Sequence, residues 1–170
     1  MAAPTVRDVD PLALEHQVCF ALATTNRAVL AVYRPLLAPL GLTHPQYLVM
    51  LALWDHRKAT ADRFPLSVKQ IAGALQMDSA TLSPMLKRLE GQGLIRRAKN
   101  GADERATDVM LTQRGIALRE RALEVPSAVV ARLGVETSEL ENLHRVLTRI
   151  NAAAVAAGAL QPGHQREERP

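Results

Sequence analysis

A single cysteine, Cys19, is the only thiol in this 170-residue chain. One cysteine excludes an internal disulfide, and a lone thiol fits a reducing cytoplasm. No run of 18 apolar residues occurs, so no segment is expected to span a membrane. The stretch from Met1 to Asp10 has no basic run followed by an apolar one, so a signal peptide is not expected. Strand-forming residues are sparse beside abundant Ala and Leu, which predicts a mainly helical fold. His16, His44, His56, His144, His164 and Cys19 show no metal-ligand spacing, so neither a metal nor another cofactor is expected. Gly and Pro form no long linker, and no internal repeat is visible.

What is present is an ordinary globular composition with a basic balance. The net charge of +4 and pI of about 9.7 favour an anionic partner without naming one. Residues 1–11 and 159–170 read as tails, the latter polar and expected to be disordered. Residues 12–158 read as one domain, with 67–111 between two helical regions, 12–55 and 113–158.

Apolar spacing predicts a first helix from about Pro11 into the thirties, ended or bent by Pro35 and Pro39 and closed by Gly41. A second follows Thr43 as N-cap, with Tyr47, Met50, Leu51 and Trp54 on one face. The polar stretch His56 to Phe64 reads as a loop. Short helices begin near Ser67 and at Asp78 or Ser79, with a tight turn at Gln76-Met77-Asp78 between them. Pro84 implies a short first turn or slight bend in the latter, which Gly91 and Gly93 stop. Strands are expected at Leu94–Lys99 and Ala106–Leu111, joined by the turn Asn100-Gly101-Ala102-Asp103. A fifth helix should run from Thr112 to about Val125, where Pro126 interrupts it, and a sixth from about Thr137 to Ala157.

Two short helices joined by a tight turn, then a hairpin, is the order of a winged helix-turn-helix. The second helix would pack through Leu82, Met85, Leu86 and Leu89 and present Ser79, Thr81, Ser83, Lys87 and Arg88. Small hydroxyls near its N-terminus can approach base edges or phosphates, and Lys87 and Arg88 fall where backbone phosphates pass. The hairpin adds Arg96, Arg97, Lys99 and Arg105. Residues 67–105 hold seven basic and four acidic side chains, so most of the chain's positive excess lies in under a quarter of its length. Surface elements commonly carry Lys and Arg, but such concentration in this element order points to phosphate binding.

These motifs resemble a known family. Leu82-Ser83-Pro84-Met85-Leu86-Lys87-Arg88-Leu89-Glu90 with Gly93-Leu94-Ile95 looks like the recognition helix and wing entry of MarR-type repressors, and Asp103-Glu104-Arg105 like their wing-tip motif. Leu14-Glu15-His16-Gln17-Val18-Cys19-Phe20-Ala21-Leu22, Tyr33-Arg34-Pro35-Leu36-Leu37 and Leu42-Thr43-His44-Pro45-Gln46-Tyr47 are similar to the organic-hydroperoxide-sensing OhrR branch, of the single-cysteine type. The resemblance covers about residues 12–150. It implies a homodimer with interlocked first and last helices, a recognition helix in the major groove, and an arginine matching Arg105 in the minor groove. It also implies double-stranded DNA with a pseudo-palindromic operator as partner. The apolar face Leu140, Leu143, Leu147, Ile150 and Ala154 suits such an interface, although a purely intramolecular core would use it equally.

A helical cysteine is usually an inert small hydrophobe. Cys19 lies on the shoulder of its apolar stripe, and the family uses a cysteine here as a peroxide-reactive thiolate, which needs donors or positive charge around it. Family tyrosines supply donors, and one matches Tyr33. It lies 14 positions along the same helix, roughly 21 Å away, so it reaches only a partner's Cys19 in an antiparallel pair. The second tyrosine position holds His44 and the third Ala23. The resemblance thus implies a redox-sensing set of Cys19, Tyr33 and His44, in which an organic hydroperoxide oxidises Cys19 to a sulfenic acid, followed by condensation with a small cellular thiol or by further oxidation, and by release of DNA. A solvent-exposed helix-start residue is an equal reading of His44. The chain would then be a cytoplasmic regulator, not an enzyme. Alternatives are a repressor relieved by a non-covalently bound phenolic or fatty acid-like ligand and, less well supported by the motifs, a thiol peroxidase.

Overall fold

The computed structural model describes residues 10–61, 64–103 and 105–159. Most of both expected tails and Glu104 of the wing-tip motif lie outside these residues.

A single 3-10 turn, Leu14–His16, precedes helix α1, Val18–Leu37. The helix therefore starts seven residues later than Pro11, and Cys19 sits in its first turn rather than mid-helix. Pro35 does not end α1. The carbonyl it leaves without a donor, on Ala31, is on an exposed residue that water can serve. A second 3-10 turn, Ala38–Leu40, ends at Gly41, whose φ of 70° is the left-handed conformation glycine adopts freely.

Helix α2, His44–Thr60, begins with a reciprocal capping box: Thr43 N–H donates to Gln46 Oε1 at 2.9 Å. It runs through the stretch expected to be a loop from His56. Arg57 and Lys58 are good helix formers, and as the last turn they complement the helix dipole.

Strand β1, Leu66–Ser67, leads into α3, Val68–Leu75, capped by Ser67. Helix α4, Ser79–Gly91, is capped by Asp78 and passes through Pro84. Strands β2, Ile95–Lys99, and β3, Thr107–Leu111, pair antiparallel from Ile95↔Leu111 to Lys99↔Thr107. β1 adds to the other side of β3, giving the order β1-β3-β2. Two residues are too few for the alternation that marks a strand, so β1 leaves no signal in the sequence.

After Thr112 come α5, Gln113–Ala122, α6, Glu124–Leu133, and α7, Thr137–Ala156. The fifth helix is interrupted, at Ala122 rather than Val125, since Pro126 has no N–H for the Ala122 carbonyl; the correction to the sequence expectation is that a further helix, α6, starts again at Glu124. Proline is the third residue of α6, in the turn whose N–H groups need no intrahelical partner, so it fits a new helix instead of blocking one. Its Val125 and Val129 are buried, and α6 packs along α1.

The core is centred on α2, α3, α4 and the sheet. Val49, Met50, Ile71, Leu82, Leu86, Leu89, Ile95 and Val109 are almost fully removed from solvent. Trp54 Nε1 donates to the Gly115 carbonyl at 2.9 Å, fastening α2 to α5. The outer helices differ. α7 buries none of its residues, and α1 buries only Leu37.

Candidate nucleic-acid interface and thiol site

α4 turns Leu82, Leu86 and Leu89 into the core, which leaves Ser79, Thr81, Ser83, Lys87 and Arg88 exposed as expected from the spacing. The hydroxyls are not idle. Thr81 Oγ1 donates to Asp78 Oδ2 at 2.8 Å, and Ser83 Oγ donates to the Ser79 carbonyl at 2.8 Å. Each keeps acceptor capacity toward a base amine. The backbone N–H and hydroxyl of Thr81 hold the Asp78 carboxyl below the usual carboxylate range. A carboxylate therefore already occupies the positive end of this helix. This weakens a phosphate's attraction to that end.

In the wing, Arg96, Lys99, Asp103 and Arg105 are exposed. The turn is built by side chains. Asn100 Oδ1 accepts from the backbone N–H groups of Ala102 and Asp103 at 2.8 and 3.0 Å, and its amide donates to both Asp108 oxygens at 3.0 Å. Asp103 Oδ1 in turn accepts from the Arg105 N–H at 3.0 Å, which makes Asp103 a shaper of the tip. Arg97, also expected in the DNA-binding set, is already paired within the fold. Its guanidinium and backbone N–H are engaged by Glu90, a residue the sequence reading used only as part of a motif. Arg97 in turn holds the Glu90 carboxyl below its ordinary range. The i, i+7 separation across a helix end and a turn gave no periodic signal for this pair.

At the other end of the molecule, Cys19 is exposed as the second residue of α1. Tyr33, near the far end of α1, meets His44 edge to face with ring centroids 5.0 Å apart. Tyr47 lies 6.2 Å from Tyr33, and Trp54 6.5 Å from Tyr47. Within one protomer the structure thus joins Tyr33 to His44 and leaves Cys19 at the opposite end of the helix. Buried Tyr47, read from sequence only as core, belongs to this aromatic row.

Burial pushes the Tyr33 phenol up, so it remains a hydrogen-bond donor, and pushes the His44 imidazole down, so it is neutral at physiological pH. The surroundings of His44 thus favour a neutral N–H donor over a protonated imidazolium. The unfolded chain then binds a proton near the ordinary value of 6.5 before the folded one does. Stability contributed by this group is full above that value and declines as pH falls through it toward the lowered folded value. Wild type should therefore lose more stability than His44→Phe between pH 7.5 and 5.5 in urea unfolding. Parallel pH profiles would contradict this environment for His44.

Among the described residues no group of three or more His, Cys, Asp or Glu side chains is placed to hold a metal. No single described helix is long and apolar enough to cross a membrane.

Two short helices joined by a tight turn, the second with a polar exposed face, followed by a basic hairpin, define a winged helix-turn-helix DNA-binding protein. Residues 42–107 match the MarR family model. The chain is 39% identical over 138 residues to the organic hydroperoxide resistance transcriptional regulator of Bacillus subtilis (strain 168), covering 81% of this chain and 89% of that one. It is 40% identical over 154 residues to the HTH-type transcriptional regulator TtmR of Methylorubrum extorquens (strain PA1), covering 88% and 75%. The solved structure of reduced AbfR bound to DNA superposes with a TM-score of 0.67 at 29% identity, covering 84% and 94%. The chain belongs to the MarR family, and it is a DNA-binding transcriptional regulator.

Proposed function

We propose that this protein is a cytoplasmic, homodimeric repressor that senses organic hydroperoxides through Cys19 and then releases a pseudo-palindromic operator. The carrying observation is the separation of the thiol from its donors. Cys19 is exposed at one end of α1, and the Tyr33–His44 pair stands at the other. Antiparallel packing of two α1 helices brings each thiol to the partner's pair, so the sensor is complete only in the dimer. The name of the Bacillus subtilis relative supports hydroperoxides as the signal.

Cys19 lies exposed in the first turn of α1, and a cysteine reacts with peroxides as its thiolate. The thiolate attacks the terminal oxygen of the hydroperoxide. The S–O bond forms as the O–O bond breaks, and the departing alkoxide takes a proton to become the alcohol. Donation from the phenol and the neutral imidazole stabilises that developing charge. The cysteine sulfenic acid then condenses with a small cellular thiol, forming a mixed disulfide and water. The bulk of the adduct at the α1 interface displaces the two recognition helices from half-sites about one helical turn apart.

A second reading has its own observation. A cavity of about 410 Å³ lies between the α1–α2 corner and α5, with Leu40, Leu94 and Leu118 as apolar wall and Arg114 and Arg121 as cations. Its size suits a small organic acid that would relieve repression without oxidation. Both readings meet in one gel-shift experiment, using a duplex selected from a random pool by the wild-type protein. Cumene hydroperoxide should release wild type and leave Cys19→Ser bound. Release of Cys19→Ser to the same extent would overturn thiol sensing and favour the non-covalent ligand.

A further inference from the structure

Recognition helix and wing must meet DNA at the same time, so the angle between them matters as much as the side chains they carry. Glu90, one residue from the end of α4, links the two through both carboxylate oxygens. Its Oε2 accepts from Arg97 Nε at 2.9 Å and from Arg97 Nη2 at 2.7 Å. Its Oε1 accepts from the Arg97 backbone N–H at 2.9 Å. Backbone and side chain of the third residue of β2 are therefore gripped by one carboxylate on the helix. The two side chains are about one-third exposed.

We propose that Glu90 and Arg97 are a positioning pair that fixes the wing against the recognition helix, and that Arg97 makes no phosphate contact in the DNA complex. The fork geometry of arginine is what satisfies the carboxylate together with the backbone N–H. Lysine retains the charge and loses the fork. A phosphate contact makes the opposite demand: it needs charge and tolerates lysine.

Four proteins separate the two roles: Arg97→Met, Arg97→Lys, Glu90→Gln and the Arg97→Met/Glu90→Gln double variant. Affinity for the selected duplex is measured over a range of salt, with thermal unfolding of the free proteins alongside. As positioning residues, all three single variants weaken binding by about tenfold. The double variant is no weaker than the singles, because one interaction is lost each time. The slope of log affinity against log salt stays at the wild-type value, since no phosphate contact is removed. A role limited to fold stability would shift the unfolding temperature and leave affinity of the folded protein alone, which would overturn the proposal. It would also be overturned if Arg97→Met lowers the slope by about one contact while Arg97→Lys and Glu90→Gln bind normally.

Discussion

Gly115→Ala is expected to destabilise the protein by about 3 kcal/mol or more, although helix propensity alone favours alanine over glycine by about 1 kcal/mol. Gly115 is the third residue of α5, and its N–H is accepted by the Thr112 cap at 3.1 Å. A Cβ here would overlap the Leu94 carbonyl oxygen and stand 3.0 Å from its carbon and 3.2 Å from Leu111 Cδ2. No rotamer change relieves a collision with backbone. Leu94 O also accepts the Thr112 N–H at 3.1 Å, so withdrawing that carbonyl strains the start of the same helix. Moving α5 instead draws the Gly115 carbonyl away from Trp54, and a buried indole N–H without its partner costs about 1–3 kcal/mol. The steric and hydrogen-bond losses exceed the propensity gain. For a chain of this size the melting temperature should fall by about 6–12 °C. An unchanged or raised melting temperature would show that α5 can shift freely on the wing base, and would remove this contact from the fold's essentials.

That contact also marks the boundary of what the chain reveals in one dimension. Leu82, Leu86 and Leu89 repeat at helical spacing, so the buried side of α4 and its exposed set could be read directly. Asn100-Gly101 announced the wing turn for the same local reason. Gly115 carries no such mark, because what forbids a side chain there is a carbonyl 21 positions earlier. Polarity misled at His56–Thr60, where charged residues extend a helix into solvent. Pro126 marked the interruption but hid the restart, since the same ring that stops one helix fits the first turn of the next.

The functional residues divide along similar lines. Exposure of Lys87, Arg88, Arg96, Lys99 and Arg105 follows from pattern, since each lies off an apolar stripe or at a turn. Arg97 has the same chemistry and a neighbouring position, yet Glu90 takes its guanidinium. Composition counts charges and cannot tell which are already paired. Likewise the distance from Cys19 to Tyr33 along one helix was legible, whereas the edge-to-face contact of Tyr33 with His44 depends on how the α1–α2 corner folds back.

The outer helices carry the largest expected effect on DNA binding. Leu143, Leu147 and Ile150 on α7 are 37–45% exposed, and Val18, Phe20 and Leu22 on α1 lie open as well. Twenty residues of helix with no buried side chain gain too little from propensity alone, so this stripe calls for a second chain. The double substitution Leu147→Glu/Ile150→Glu should yield a monomer by sedimentation. The core should survive, because none of its buried residues comes from α7. Affinity for the selected duplex should fall by at least a hundredfold, since two linked recognition helices bind two half-sites with an avidity gain of roughly 10²–10⁴ that one cannot supply. The same variant tests the sensor. Without a partner's Tyr33 and His44, Cys19 should react with cumene hydroperoxide at the rate of an ordinary exposed thiol. A monomer that retains wild-type thiol reactivity would locate the activating groups within one chain. A variant that remains dimeric would move the interface off α7.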